Sequence, residues 1–465
     1  MASDKVGQCK HKLPLGTVAK TIEGSSLSAE QAEAVVAAAC KSDLVVIEGA
    51  AGSGKSYALK NVAQLYKAEG YRVLGSATAW KVAEELGEAC DIESCATDSW
   101  LAQAVVGRNF LDAKTLLIVD EAGQLSSRQM HQILERAEAA GAKVILTGDQ
   151  KQLQAIAAGP GLRLVAEQTG VTRIDIVRRQ EENWAREAVL DFADGRAEKA
   201  LTAFDQHGLL SMVDGQSETL KAAVNAWVVD HRLYPTNTSL VMAQTNREVA
   251  SLNVLMRDSL KAKGKLGSDL LELSVAGGKT LPLARGECLR FTKRIEALGV
   301  VNGSLATVEN IMNPNSNNPS LVLKQASRTL TVSISDLNGG RGAVPFKYAY
   351  ASTLYAAQGA TVDRAYIVAS PRLKRNDMYV ATSRAKKSTR VFVNTDAVRR
   401  LMLDGKLLTD RAKPEIGSAA IKHYLGKAWS RVAEKVSALD HLPKQEHQRR
   451  HVPVTSRMPE NSLEL

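Results

Sequence analysis

The chain has 465 residues, of which 45% are hydrophobic and 24% charged, with a formal net charge of +10. That length predicts two or three compact units of an ordinary globular protein, and the basic balance suits a polyanionic partner without identifying one. The opening residues lack the apolar core of a signal peptide, and no stretch approaches a membrane span, so a cytoplasmic protein is expected, its scattered cysteines reduced.

Residues 1–24 are polar and basic and read as an arm. A helix is expected at "LSAEQAEAVVAAACK", with Ser28 as N-cap and Gln31 at the capping-box position. Short apolar runs follow, each ending on polar or glycine residues: "LVVIEG", "RVLGSAT", "LLIVDEA", "KVILTGD", "SLVMAQTN" and "AYIVAS". Such runs suit strands buried on both faces, and their alternation with helical stretches predicts an α/β fold with a doubly wound parallel sheet. Ligands of such sheets lie at the carboxyl ends of the strands. The pattern breaks over 275–345, where "GECLRFTKR", "VNGSLATVENI" and "RTLTVSISDL" predict a small β-barrel-like insert. Asn302-Gly303 is expected as its hairpin turn and "NPNSNNPS" as a loop. From 401 to 465 a charged helix and a polar tail are expected, with His441, His447 and His451 solvated.

"GAAGSGKS", Gly49 to Ser56, has the spacing of a phosphate-binding turn between a strand and a helix. Its glycines let backbone N–H groups face phosphate oxygens at a helix N-terminus. Lys55 is expected on the β- and γ-phosphates and the Ser56 hydroxyl on Mg2+. "LLIVDEA" supplies a partner strand, with Asp120 for the metal and Glu121 to orient and deprotonate the attacking water.

Taken in order, "LSAEQ", "GAAGSGKS", "GSATAWKVAEEL", "VDEA", "GDQKQL", "VRRQ", "AQTNREVASLN", "YASTLYAAQGATVD" and "YVATSRAKK" resemble the motifs of superfamily 1 helicases. The similarity runs over residues 25–397 and points to the RecD-like branch, in particular the helicase portion of TraA-type conjugative relaxases. It implies two RecA-like domains, the first over 25–180 and the second over 181–274 and 346–400, with an SH3-like insert over 275–345. It implies ATP and Mg2+ as cofactors. Gln31 would contact adenine, while Gly49, Ala50, Ala51, Gly52, Ser53, Gly54, Lys55 and Ser56 would cradle the phosphates. Gln152 would sense the γ-phosphate, and Arg179 and Arg384 would reach it from the second domain, with Gln358 and Gly359 lining the same cleft. Arginines supplied across a cleft stabilise a transferring phosphoryl group only when the cleft is closed, which makes hydrolysis conditional on domain position.

The resemblance also implies a track for single-stranded DNA. Thr78 and Lys81 match phosphate contacts, Thr97, Ser99 and Trp100 the next contact, and Thr353 a grip from the second domain. Arg247, with Asn246 and Asn253 in "TNREVASLN", fits a further motif, although the same stretch also reads as a capped helix. Trp80 is either a stacking surface or core. Contacts to phosphate and base faces predict non-specific, salt-sensitive binding. Tyr355 and Ala356 replace the histidine and lysine usual in relatives, Ser383 replaces a threonine, and little room remains between Trp80 and Asp120 for a strand-splitting hairpin. A nicking site would need clustered histidines and a nucleophilic tyrosine, and no such cluster precedes the helicase region, so a relaxase or nuclease would be a separate partner. The expected function is a monomeric, 5′–3′ ATP-dependent DNA helicase or translocase in mobile-element transfer or repair. The alternatives are an RNA helicase of the same superfamily and a DNA-binding scaffold with a decayed motor.

Overall fold

The computed structural model describes residues 9–153, 159–325, 328–339, 342–404 and 416–432; the tail histidines lie outside them. Six strands, β1 (Leu44–Gly49), β2 (Arg72–Ala77), β3 (Glu93–Ala96), β4 (Thr115–Val119), β5 (Lys143–Gly148) and β6 (Thr172–Ile174), form a parallel sheet in the order β3-β2-β4-β5-β1-β6. The alternating residues of β1 and β4 enter two separate cores. Val45, Ile47 and Ile118 join Val35 and Val62 of the helices Ala29–Cys40 and Lys55–Ala68, whereas Val46 and Val119 join Trp100 and Met130 on the opposite face. Helices on both faces explain why these strands are almost uninterrupted apolar runs. Their common direction brings Gly49, Asp120 and Gly148 to one edge of the sheet.

Residues 9–24 are docked on this domain instead of forming a free arm. The ring of His11 hydrogen-bonds the Tyr71 hydroxyl and the Gly141 carbonyl, and Leu13 and Val18 enter the core.

The second domain begins with β7 (Leu210–Val213) and β8 (Ser239–Ala243), and the helix Asn246–Ala262 then leads into the insert. There β9 (Asp269–Val275) and β10 (Lys279–Ala284) form a hairpin. Strands β11 (Cys288–Phe291), β12 (Leu305–Met312), β13 (Ser320–Lys324), β14 (Thr329–Ser333) and β15 (Phe346–Tyr348) form an antiparallel sheet in the order β14-β13-β12-β11-β15. Leu273, Leu281 and Leu283 of the hairpin share one core with Phe291, Leu323 and Phe346 of the sheet. Among the described residues no pairing joins the edge strands β14 and β15, so the insert is a sheet packed against a hairpin. Asn302-Gly303 does turn, but at the end of the longer excursion 292–304 between β11 and β12.

The chain returns through β16 (Ala351–Thr353), β17 (Val362–Ala369) and β18 (Ala385–Asn394), completing a second parallel sheet in the order β16-β8-β17-β18-β7. Arg257, buried on the helix Asn246–Ala262, donates from Nε to Glu287 Oε1 at 2.7 Å, and Tyr350 Oη donates to the other Glu287 oxygen at 2.6 Å. This buried pair fastens the insert to the second domain. None of the five cysteines, all among the described residues, is in a disulfide.

Candidate nucleotide site and strand track

Ser28 caps its helix through the expected capping box with Gln31. Gln31 Nε2 also donates to the carbonyls of Ser53 at 3.1 Å and Gly54 at 3.2 Å, so this side chain braces the phosphate-binding turn from below. The turn needs its glycines: Gly52 and Gly54 have φ of +83° and +84°. A Cβ on Gly52 would also lie 2.5 Å from Cβ of Arg179.

A cavity of about 380 Å³ opens between the two domains, lined by residues 50–56 with Asp120, Glu121, Gln152, Arg179, Gly359 and Arg384. Lys55 Nζ donates to Gly49 O at 2.5 Å. Asp120 Oδ1 accepts from the Thr147 hydroxyl at 2.5 Å and from the Glu121 amide at 2.8 Å. Glu121 has φ of +48°, a left-handed state that costs a non-glycine residue about 1–3 kcal/mol and is typical of functional sites. Burial raises its pKa above the usual carboxylate range, with Lys55 opposing and Asp120 adding to the rise. Gln358 Nε2 reaches Glu121 Oε2 at 3.3 Å from the other domain.

Arg179 lies on the segment that joins the two sheets. The neighbouring Arg178 amide donates to Gly52 O, and Arg179 Nη1 donates to Ser383 O at 2.8 Å. Arg384 is 2% exposed and is held by Val380 O at 2.8 Å and the Ser383 hydroxyl at 2.7 Å. Burial first, then the nearby Arg179 charge, pushes its pKa down to about 10, which leaves it cationic at neutral pH.

Several residues not singled out from the sequence hold the cleft together. Tyr379 Oη accepts from the Ala51 amide at 2.8 Å and donates to Asp149 at 2.7 Å. Asn376 Nδ2 donates to the Lys151 and Gln152 carbonyls, both at 2.9 Å, and Gln180 Nε2 donates to Ala385 O at 3.0 Å. The usable signal was helical spacing: Asn376, Tyr379 and Ser383 share one face leading to Arg384.

The expected track is only partly presented. Thr78 is half-buried, its hydroxyl on Gln124 Oε1 at 3.0 Å, and Lys81 pairs with Glu85 at 3.7 Å. Arg247 is exposed at the start of its helix, and Thr353 is half-buried. Two expected contacts point inward instead. The Thr97 hydroxyl is buried between Ser76 Oγ and Ala77 O, and Trp100 donates to Gly75 O at 2.9 Å while stacking on Phe110. Both are committed to the first domain's interior. Asn253 is likewise structural, tying its helix to β16 through Ala351 N. Trp80 is half-exposed, with the Arg294 guanidinium of the insert 4.2 Å from its ring centroid.

The cavity suits a nucleoside triphosphate with its metal. Among the described residues, Ser53 Oγ and Gln152 Oε1 are buried polar atoms without partners, and both residues line it. Ser56 and Asp120 offer the hard oxygen donors that Mg2+ prefers. No cluster of three or more metal-binding side chains occurs among the described residues.

Two RecA-like domains meet over this cleft, and over most of its length the chain is similar to conjugal transfer proteins and to a DNA helicase. An AAA domain model matches residues 26–215. The conjugal transfer protein TraA of Rhizobium radiobacter is 32% identical over 376 residues, covering 79% of this chain and 32% of the relative. The RecD2 DNA helicase of Deinococcus radiodurans is 27% identical, covering 74% of this chain and 46% of the relative. Among solved structures, the Pif1 helicase of Candida albicans superposes with a TM-score of 0.54 at 16% identity, over 79% of this chain and 95% of that one. Bacteroides Pif1 bound to single-stranded DNA superposes with a TM-score of 0.52 at 14% identity, over 80% and 94% of the two chains. The chain is thus related to the TraA proteins, of whose length it spans about a third.

Proposed function

We propose that the chain is an ATP-dependent DNA helicase that translocates 5′ to 3′ along single-stranded DNA, in mobile-element transfer or repair. One observation carries the reading. The hydrolytic groups are divided between two domains, Lys55, Asp120 and Glu121 on one and Arg384 on the other, and they face a shared cavity. Kinship with the TraA and RecD2 proteins and the fold shared with Pif1 support it.

In this reading Ser56 and Asp120 hold Mg2+, which when bound supplies positive charge to the β- and γ-phosphates. Glu121 orients the attacking water and takes its proton, a task favoured by its raised pKa. Lys55, Arg179 and Arg384 neutralise charge developing on the transferred group, and Gln152 reports its presence to the track. Thr78, Lys81, Arg247 and Thr353 contact the strand, and Gln31 lies beside the base. The units divide near residue 180 and on either side of the insert, whose strands run from Asp269 to Tyr348 and so exceed the 275–345 expected, and the protein works as a cytoplasmic monomer beside a relaxase or nuclease partner.

The deciding experiment compares unwinding of 5′-tailed and 3′-tailed duplexes, with Lys55→Ala as the inactive control. Unwinding of the 5′-tailed duplex alone is expected. Preference for the 3′ tail, or ATPase stimulated by RNA but not DNA, overturns the reading.

A further inference from the structure

Tyr379 is 1% exposed and sits on the helix Arg375–Thr382 of the second domain, yet both partners of its hydroxyl belong to the first. The oxygen accepts from the Ala51 amide in the phosphate-binding turn, and the proton goes to Asp149 Oδ2. The same Asp149 oxygen accepts from Gln152 Nε2 at 3.1 Å, and Oδ1 accepts from the Lys151 amide at 2.9 Å.

Gln152 is 2% exposed. Its NH2 group is tied to Asp149, so the plane of its amide is fixed and its oxygen is fixed with it. Among the described residues that oxygen is buried without a partner, in a side chain that lines the nucleotide cavity. A buried acceptor left open costs stability unless a donor arrives. The donor that hydrolysis brings to this place is the attacking water.

We propose that Tyr379 is a positioning residue for hydrolysis: its hydroxyl links the turn to Asp149 and so aims Gln152 Oε1 at the attacking water, only while the second-domain helix is seated. This rests on the motor reading above and deepens it. A hydroxyl that donates once and accepts once is directional, and its bonds weaken steeply when the helix shifts or tilts. The link therefore converts domain closure into the orientation of one amide.

The test is steady-state ATPase of the full chain with saturating single-stranded DNA, for wild type, Tyr379→Phe, Gln152→Ala and the double variant. Tyr379→Phe is expected to lower kcat about 10–100-fold while KM for ATP moves less than about twofold, the pattern of a lost transition-state interaction. The double variant is expected to be no slower than Gln152→Ala alone, because the tyrosine acts through that glutamine. Wild-type kcat in Tyr379→Phe, or a double loss equal to the product of the single losses, overturns the proposal. Should Tyr379→Phe fail to fold, Asp149→Asn tests the same link, since asparagine has one oxygen for three donors. Unchanged kcat there overturns it equally. A wild-type chain without ATPase sinks the motor reading and this inference with it, whereas an active wild type with an indifferent Tyr379→Phe sinks the inference alone.

Discussion

Replacing Gly52 by alanine attacks the nucleotide site through geometry alone. Gly52 has φ of +83°, and the left-handed region costs an L-residue with a side chain about 1–2 kcal/mol. The new methyl would lie 2.5 Å from Arg179 Cβ, whereas carbon atoms rest about 3.5–4.0 Å apart, so one of them must yield by more than about 1 Å. Gly52 belongs to the turn seated against Tyr379, so the yielding partner is the segment carrying Arg179. Misplacing a group in a closed site by about 1 Å costs about 100-fold in rate. Gly52→Ala is therefore expected to fold with about 1–3 kcal/mol less stability and to lose about 100-fold in DNA-stimulated kcat. Thermal melting and steady-state ATPase measure the two effects, and Arg179→Ala with and without Gly52→Ala separates them. If the alanine acts by displacing the arginine, the double variant is no slower than Arg179→Ala. Wild-type turnover in Gly52→Ala, or a fully additive double variant, would refute the reasoning.

Other outcomes follow from the same cleft and its surroundings. Arg384→Ala should retain nucleotide binding, read by a fluorescent ATP analogue, while turnover falls about 1,000-fold or more, as for an arginine supplied across a domain boundary. The raised pKa of Glu121 means that the fold favours its neutral form: the stability it contributes is present at low pH and is lost as pH rises through the folded pKa. Water activation needs the ionised form and runs oppositely, so the acid limb of the kcat profile should lie above the ordinary carboxylate value of 4.5 and vanish in Glu121→Gln. Trp100→Phe should leave affinity for single-stranded DNA within about twofold and lower the melting temperature instead, because the indole is a core group bonded to Gly75.

The central strands were legible because each is buried on two faces, and "LVVIEG" or "LLIVDEA" can be little else. Peripheral strands lacked that signature. β3 reads "ESCA" and β6 "TRI", short and mixed in polarity, and β18 opens with the polar "AKKST" before its buried half. The docked N-terminal segment was hidden by its exposed lysines, since its buried side chains are the well-separated His11, Leu13 and Val18. In the site, groups contiguous in sequence were readable: the glycine turn and the Asp120-Glu121 pair. Trp100 misled because an aromatic beside polar residues says nothing about which face of a helix it occupies. Tyr379 was beyond reach for another reason. Its partners lie 328 and 230 positions away, and only the fold brings Ala51 and Asp149 to one hydroxyl.

The insert leaves the second domain after the helix Asn246–Ala262 and returns at β16, an edge strand paired with β8 alone. Exit and re-entry thus lie side by side at the margin of the sheet, so lengthening or shortening the excursion disturbs none of the central strands. The chain has in effect a socket, closed by Arg257 and Glu287, into which modules of different size can be spliced without rewriting the hydrolytic cleft. Engine and accessory are thus separable at the level of the gene, because the groups that line the nucleotide cavity all lie outside the excursion.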